Sequence, residues 1–196
     1  MPAHSLPSAR GLGEPLSGRL NPPDGARFAG CMMGEPEELW LLASDVGYGF
    51  TVRFKELITD RRAGKTVLNV PDGALALPPA RVPSTDSLVV VAGSEGKMLA
   101  FPVGEVPEMP RGKGLKLYDI PSRRAAAREE LVAGLAIVPP GGRLVLWKGE
   151  ERKELSWKEL AAYRGERAQR GIVLPRGWRE IDRLELGLDA PAERPG

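Results

Sequence analysis

Short apolar runs bounded by turn residues dominate this chain, and they come in pairs. Residues 39–43 (Leu-Trp-Leu-Leu-Ala) lead through Ser44, Asp45, Val46 and Gly47 into 48–52 (Tyr-Gly-Phe-Thr-Val). Residues 88–92 lead through Gly93, Ser94, Glu95 and Gly96 into 97–101, and 144–147 lead through 148–151 into a more polar return over 153–156. Strand-length runs rich in β-branched and aromatic side chains, broken by Gly or Asp, predict three β-hairpins. Helix signals are few. Residues 123–131 predict two helical turns capped by Ser122, and 156–163 predict another short helix with Ser156 as N-cap and Glu159 completing a capping box.

The pairs repeat. A shift of 49 positions places Leu39 on Leu88, Gly47 on Gly96, Phe50 on Leu99 and Arg62 on Arg111. After each hairpin comes a short connector, then a glycine and basic cluster, then a further apolar strand such as 67–70. The clusters are Arg61-Arg62-Ala63-Gly64-Lys65, Arg111-Gly112-Lys113-Gly114 and the stretch from Arg164 to Gly171, which holds Arg167 and Arg170. A fourth, Arg10-Gly11-Leu12-Gly13, has no hairpin before it. From Gly13 to Gly64 is 51 residues, from Gly64 to Gly114 is 50, and from Gly114 to Gly171 is 57. A period near fifty with about four strands per repeat predicts an all-β, propeller-like fold of about four blades. The repeats run roughly 1–37, 38–86, 87–140 and 141–187 in a single domain over 1–187, the first lacking its leading hairpin and 188–196 forming a disordered tail.

Composition narrows the chemistry. The chain has 196 residues, of which 24 Gly and 19 Pro suit a turn-rich domain, while 42% hydrophobic residues suffice for a packed core. One cysteine, Cys31, cannot form an internal disulfide, which predicts a reducing, cytoplasmic setting. One histidine, His4, leaves no Cys/His metal cluster and no nucleophile–histidine pair away from the chain start. No apolar run approaches the ~20 residues that span a bilayer, so no membrane partner is expected. With 28 Lys and Arg against 26 Asp and Glu the net charge is +2, so any nucleic-acid surface must be a local patch.

The basic clusters are the candidate chemistry. Gly64-Lys65-Thr66 ends like a nucleotide-binding P-loop, but position 59 is Thr where that pattern needs Gly, and a strand is expected next where it needs a helix. The other reading is a loop whose backbone approaches DNA phosphates while Arg and Lys neutralise them. The plain alternative is that Gly supplies turn geometry and the cations are merely solvated. Recurrence at one point of the repeat favours binding, since a turn needs glycine there but has no need of arginine. The surface carboxylates Glu35, Glu37, Glu38, Glu150, Glu151 and Glu154 read as solvated. Tyr48, Tyr118 and Tyr163 read as half-buried packing, and Trp40 and Trp147 as core. Trp157 and Trp178 are assigned to packing too.

The clusters, their spacing and the hairpins resemble the C-terminal domain of the A subunit of bacterial type IIA topoisomerases, nearer to topoisomerase IV than to gyrase. The most specific stretches are 6–23 (Leu-Pro-Ser-Ala-Arg-Gly-Leu-Gly-Glu-Pro-Leu-Ser-Gly-Arg-Leu-Asn-Pro-Pro) and 41–50, with 102–114 and 165–171 adding to them. The resemblance implies a β-pinwheel, in which neighbouring blades exchange strands and DNA bends along a basic outer rim. Its phosphate contacts would be Arg10, Arg19, Arg61, Arg62, Lys65, Arg111, Lys113, Lys116, Arg164, Arg167 and Arg170. Gyrase-type domains carry a Gln-Arg-Arg-Gly-Gly-Lys-Gly box for chiral wrapping. Here the nearest stretch has Ala63 and Thr66 in place of two of its glycines. The resemblance places catalysis, metal and ATP elsewhere, so no catalytic residue, metal or cofactor is expected in this chain. It implies as partners double-stranded DNA, the rest of the DNA-cleaving polypeptide, the topoisomerase's ATPase component and a bacterial condensin. It also implies a nucleoid location. Two readings compete with it: a gyrase-type wrapping domain, and a protein-interaction propeller without useful DNA affinity. Interleaving of the basic loops with Glu14, Glu150 and Glu166 would favour the latter.

Overall fold

Short apolar runs bounded by turn residues build three hairpins, and the connections between them complete the sheets. The structure, a computed structural model, describes residues 24–61 and 63–187 together with Pro15, Gly18, Leu20 and Pro22. In chain order the strands are β1 (Leu39–Ala43), β2 (Tyr48–Arg53), β3 (Ala80–Val82), β4 (Leu88–Gly93), β5 (Lys97–Pro102), β6 (Leu115–Lys116), β7 (Val132–Val138), β8 (Arg143–Lys148), β9 (Glu151–Ser156), β10 (Ile172–Val173) and β11 (Arg183–Gly187). The expected hairpins are β1–β2, β4–β5 and β8–β9, with registers running Leu39 to Arg53, Leu88 to Pro102 and Arg143 to Ser156.

Each hairpin then gains strands from later in the chain. The sheets are ordered β3-β1-β2-β6, β10-β5-β4-β7 and β11-β8-β9. β6 follows the second hairpin yet pairs with β2 of the first, Tyr48 opposite Lys116. β10 follows the third hairpin yet pairs with β5 of the second, Ile172 opposite Met98. The repeats over 87–140 and 141–187 thus each give a strand back to the blade before, which is the exchange that the sequence resemblance implies. Among the described residues before Leu39 there is no strand.

The core lies between the blades. On β4, Val89 and Val91 pack with Leu41 of β1, Phe101, Tyr118 and Ile137, while Leu88, Val90 and Ala92 face Leu144, Leu146, Leu155, Leu160 and Leu184. A strand covered on both faces needs no polar alternation, which explains the unbroken apolar run 88–92. A third cluster joins Trp40, Leu42, Phe50 and Val52 to Phe54, Leu57 and Leu68. Each fully buried aliphatic side chain here is worth roughly 1.5–3 kcal/mol over its exposed state.

Five expectations need correction. The helix expected over 123–131 is a single short one, α1 (Ser122–Ala126), with Pro121 in the cap position and no side-chain cap. Arg128 at φ 60° turns the chain out of it so that Glu130 can be buried. The strand expected over 67–70 reduces to one parallel bridge, Leu68 with Gly112. Trp147 is half-exposed, its ring under the Arg183 guanidinium at 4.4 Å and its Nε1–H donating to Glu185 at 2.8 Å. Glu38 is half-buried against Arg81 at 2.5 Å. At Ser156 the capping box does form: the Ser156 amide and hydroxyl donate to the Glu159 carboxylate at 2.8 and 2.6 Å, ahead of a 3₁₀ turn over Glu159–Tyr163. No helix among the described residues is long and apolar enough to cross a membrane.

Tyr118, expected to be half-buried, is fully enclosed, its hydroxyl donating to the Lys97 carbonyl at 3.5 Å. Burial, helped by the negative charge of Glu130, pushes its phenol up to about 12. An unfolded tyrosine releases its proton near pH 10. Between these values the unfolded chain holds fewer protons, so stability is expected to fall as pH rises from about 10 to 12. Denaturant midpoints measured across that window check this, and Tyr118→Phe should flatten the decline. A decline unchanged by that substitution would assign it to other groups.

Candidate nucleic-acid interface

The three described basic loops are bound to one another through their backbones. Gly112 of the second loop donates its amide to Val67 at 2.9 Å, and its carbonyl accepts from the Asn69 amide at 2.8 Å, fastening it to the end of the first. Leu117, just beyond the second loop, accepts from the Ala168 amide of the third at 3.0 Å, and Gln169 accepts from the Asp119 amide at 3.1 Å. The second and third loops also grip the hairpin of the preceding blade. The Met109 amide donates to Thr51 at 2.8 Å, and at the equivalent place in the next blade the Gly165 amide donates to Ala100 at 3.0 Å. The glycines of these clusters permit that proximity, and the result is a row of loops in which each touches the next.

The predicted cations divide into three groups. Arg10, Arg19 and Arg62 lie outside the described residues. Arg61, Lys65, Arg111, Lys113 and Arg164 are exposed, and none has a carboxylate partner among the described residues. Two of these rest on aromatic faces: Lys113 Nζ sits 3.9 Å from the centre of the Tyr48 ring and the Arg164 guanidinium 5.2 Å from Trp157. Such stacking pre-orders a cation without neutralising it.

The remaining three are engaged by the protein. Lys116 pairs with Asp119 at 2.9 Å, and that hydrogen bond holds its ammonium above the usual lysine range. Arg167 turns inward and donates through Nη1 to the Lys116 carbonyl at 2.6 Å, while its amide donates to Glu105 at 2.8 Å. Arg170 donates to the fully buried Glu130 at 2.6 Å, which raises its guanidinium further above its ordinary value. Glu166 stands exposed within the same loop. Interleaving with acids is therefore confined, among the described loops, to the third; Glu14 lies outside the described residues, and the described cations of the first and second loops face solvent.

Sequence reasoning missed Glu130. Glu129 and Glu130 look alike in sequence, and the one signal was their place in the longer gap between the second and third clusters, where extra chain folds back on the blades. The shallow groove lined by Glu37, Arg53, Lys55, Glu56 and Glu108 neutralises itself: Arg53 forks onto Glu108 at 2.9 and 3.1 Å, and Lys55 holds the Glu37 carboxyl below its usual range.

What the exposed arrangement can do is neutralise a row of anions. Comparison with known proteins bears on which row. No family model matches the chain. The A subunit of DNA topoisomerase 4 from Pseudomonas aeruginosa is 45% identical over 190 residues, which cover 96% of this chain and 25% of that protein. The chain thus spans about a quarter of the length of the curated relatives it matches. The solved C-terminal domain of E. coli ParC superposes with a TM-score of 0.82 at 38% identity, over 94% of this chain and 74% of that domain. A DNA gyrase A C-terminal domain shares the fold with a TM-score of 0.62 at 15% identity, over 78% of this chain and 51% of that one.

Proposed function

The chain belongs to the family of ParC-type C-terminal domains of topoisomerase IV, and from that premise we propose that it binds and bends double-stranded DNA for a type IIA topoisomerase, helping to choose the crossings on which the enzyme acts. The observation that carries this reading is the row of mutually bonded basic loops presenting Arg61, Lys65, Arg111 and Lys113 to solvent. Arg164 extends the row at the third loop. Lys116, Arg167 and Arg170 hold the loops in place, and the reading transfers the main phosphate contacts to the first and second loops.

The chemistry of strand passage falls to the remainder of the DNA-cleaving polypeptide and to its ATPase partner, and this chain supplies geometry. Ala63 and Thr66, where the gyrase box has glycines, favour bending over gyrase-like wrapping. Sequence preference should be weak, since no element among the described residues is shaped to enter the major groove and read base edges.

A labelled duplex of about 40 base pairs, titrated across a salt series by fluorescence anisotropy, tests the reading. Five phosphate contacts predict a log–log slope of about −4.5, at roughly −0.9 per phosphate. Absence of binding at low salt would overturn the proposal in favour of a protein-interaction module, a reading for which the self-neutralised third loop is the supporting observation.

A further inference from the structure

Glu130 is the one charged side chain in the described residues buried to 0% exposure, and two guanidinium groups enclose it. Arg170 Nη2 donates to one carboxylate oxygen at 2.6 Å, and Arg124 Nη1 lies 3.1 Å from the other, off hydrogen-bond alignment. Arg124 is shared with Glu95 at 2.6 Å and Glu129 at 3.7 Å. Glu130 sits between α1 and β7, on the second blade's connection, whereas Arg170 sits in the third basic loop immediately before β10. The same connection ties down the hairpin turns around it. Arg128 pairs with the buried Asp45 at 2.7 Å in the first turn, and Leu131 exchanges hydrogen bonds with Ser94 in the second.

A buried carboxylate is tolerated only while its partners stay, and removing one leaves an uncompensated charge. Arg170 therefore cannot swing out to a phosphate without stranding Glu130 on an arginine already divided among three carboxylates. We propose that Glu130 is a positioning residue: through Arg170 it holds the third basic loop on the second blade, and Arg170 itself makes no contact with DNA. The DNA part rests on the function proposed above. The positioning part stands on geometry alone.

The test uses the full chain with Arg170→Gln, Glu130→Gln, their combination, and Arg111→Gln as comparison. In denaturant unfolding the two sites should be coupled by at least ~10-fold in the folding equilibrium constant. In Glu130→Gln the Ala168 and Asp119 amides, which join the second and third loops, should exchange ~10-fold faster. On DNA, Arg111→Gln should take about 0.9 off the salt slope, whereas Arg170→Gln should leave it unchanged. Glu130→Gln, assayed well below its melting temperature, should lower end-to-end energy transfer in a doubly labelled duplex at saturation while keeping the slope. If Arg170→Gln does not fold, the double variant, which strands neither charge of the pair, gives the slope in its place. Independent sites or unchanged amide exchange would overturn the positioning role, as would unchanged energy transfer. A slope loss equal to that of Arg111→Gln would overturn the exclusion of Arg170 from DNA. A parent chain that fails to bind DNA would refute the function proposed above, while the unfolding and exchange results would still decide the role of Glu130.

Discussion

Alanine at Gly114 or Gly171 is expected to cost roughly 2–5 kcal/mol each, the sum of a positive-φ penalty and a steric clash. The two glycines occupy the same point of consecutive repeats, at φ 80° and 72°, one residue before β6 and β10. A methyl group at Gly114 would run into the backbone carbonyl of Gly49, and one at Gly171 into that of Met98. Both obstacles are backbone of the hairpin receiving the strand, so neither can rotate aside. Gly64 is the internal control. It shares the conformation, at φ 73°, but nothing lies within 4 Å of where its methyl would go, because no donated strand forms after it. Gly64→Ala should thus cost only about 1 kcal/mol, the conformational part. Denaturant unfolding of the three variants settles the matter, and equal losses at all three positions would refute the role given to strand donation.

The second large effect concerns binding. Replacing Arg61, Lys65 and Arg111 together with glutamine should flatten the salt slope by about 2.7 if each meets a phosphate, and weaken binding near 0.1 M salt by roughly two to three orders of magnitude. All three are exposed and have no carboxylate partner among the described residues, so their loss leaves no buried charge behind. Melting temperature should barely change. Removing Arg143, Arg152 and Lys158, on or beside the third hairpin, alters net charge equally and should leave the slope within about 0.5 of the parent. Equal flattening by both triples would mean that diffuse charge, and not the row of loops, attracts DNA.

The contrast between these glycines shows where sequence is a good guide. The hairpins are readable because their signals are local: apolar runs in β1 and β4, alternation in β2, a turn glycine in each. The Ser156–Glu159 box is readable for the same reason, since its partners lie three residues apart. β6 and β10 are two residues each, and their partners lie more than sixty residues upstream, so nothing within the strands announces them. The cations divide along the same line. Arg111 and Arg170 sit in similar Gly-rich surroundings in sequence, yet a carboxylate forty residues away decides that one faces water and the other an ion pair. Residue type identified the loops correctly as basic. It could not say which charges the protein keeps for itself.

Strand donation also has a mechanical consequence. Each of the second and third basic loops runs through one glycine into a strand of the preceding sheet, Gly114 into β6 and Gly171 into β10. A pull exerted at such a loop is therefore carried by the inter-strand hydrogen bonds of the neighbouring blade, which resist it as a shared load. Blades joined in this way have no independent hinge between them, and a stiff polymer drawn against the row would meet the recoil of the whole assembly.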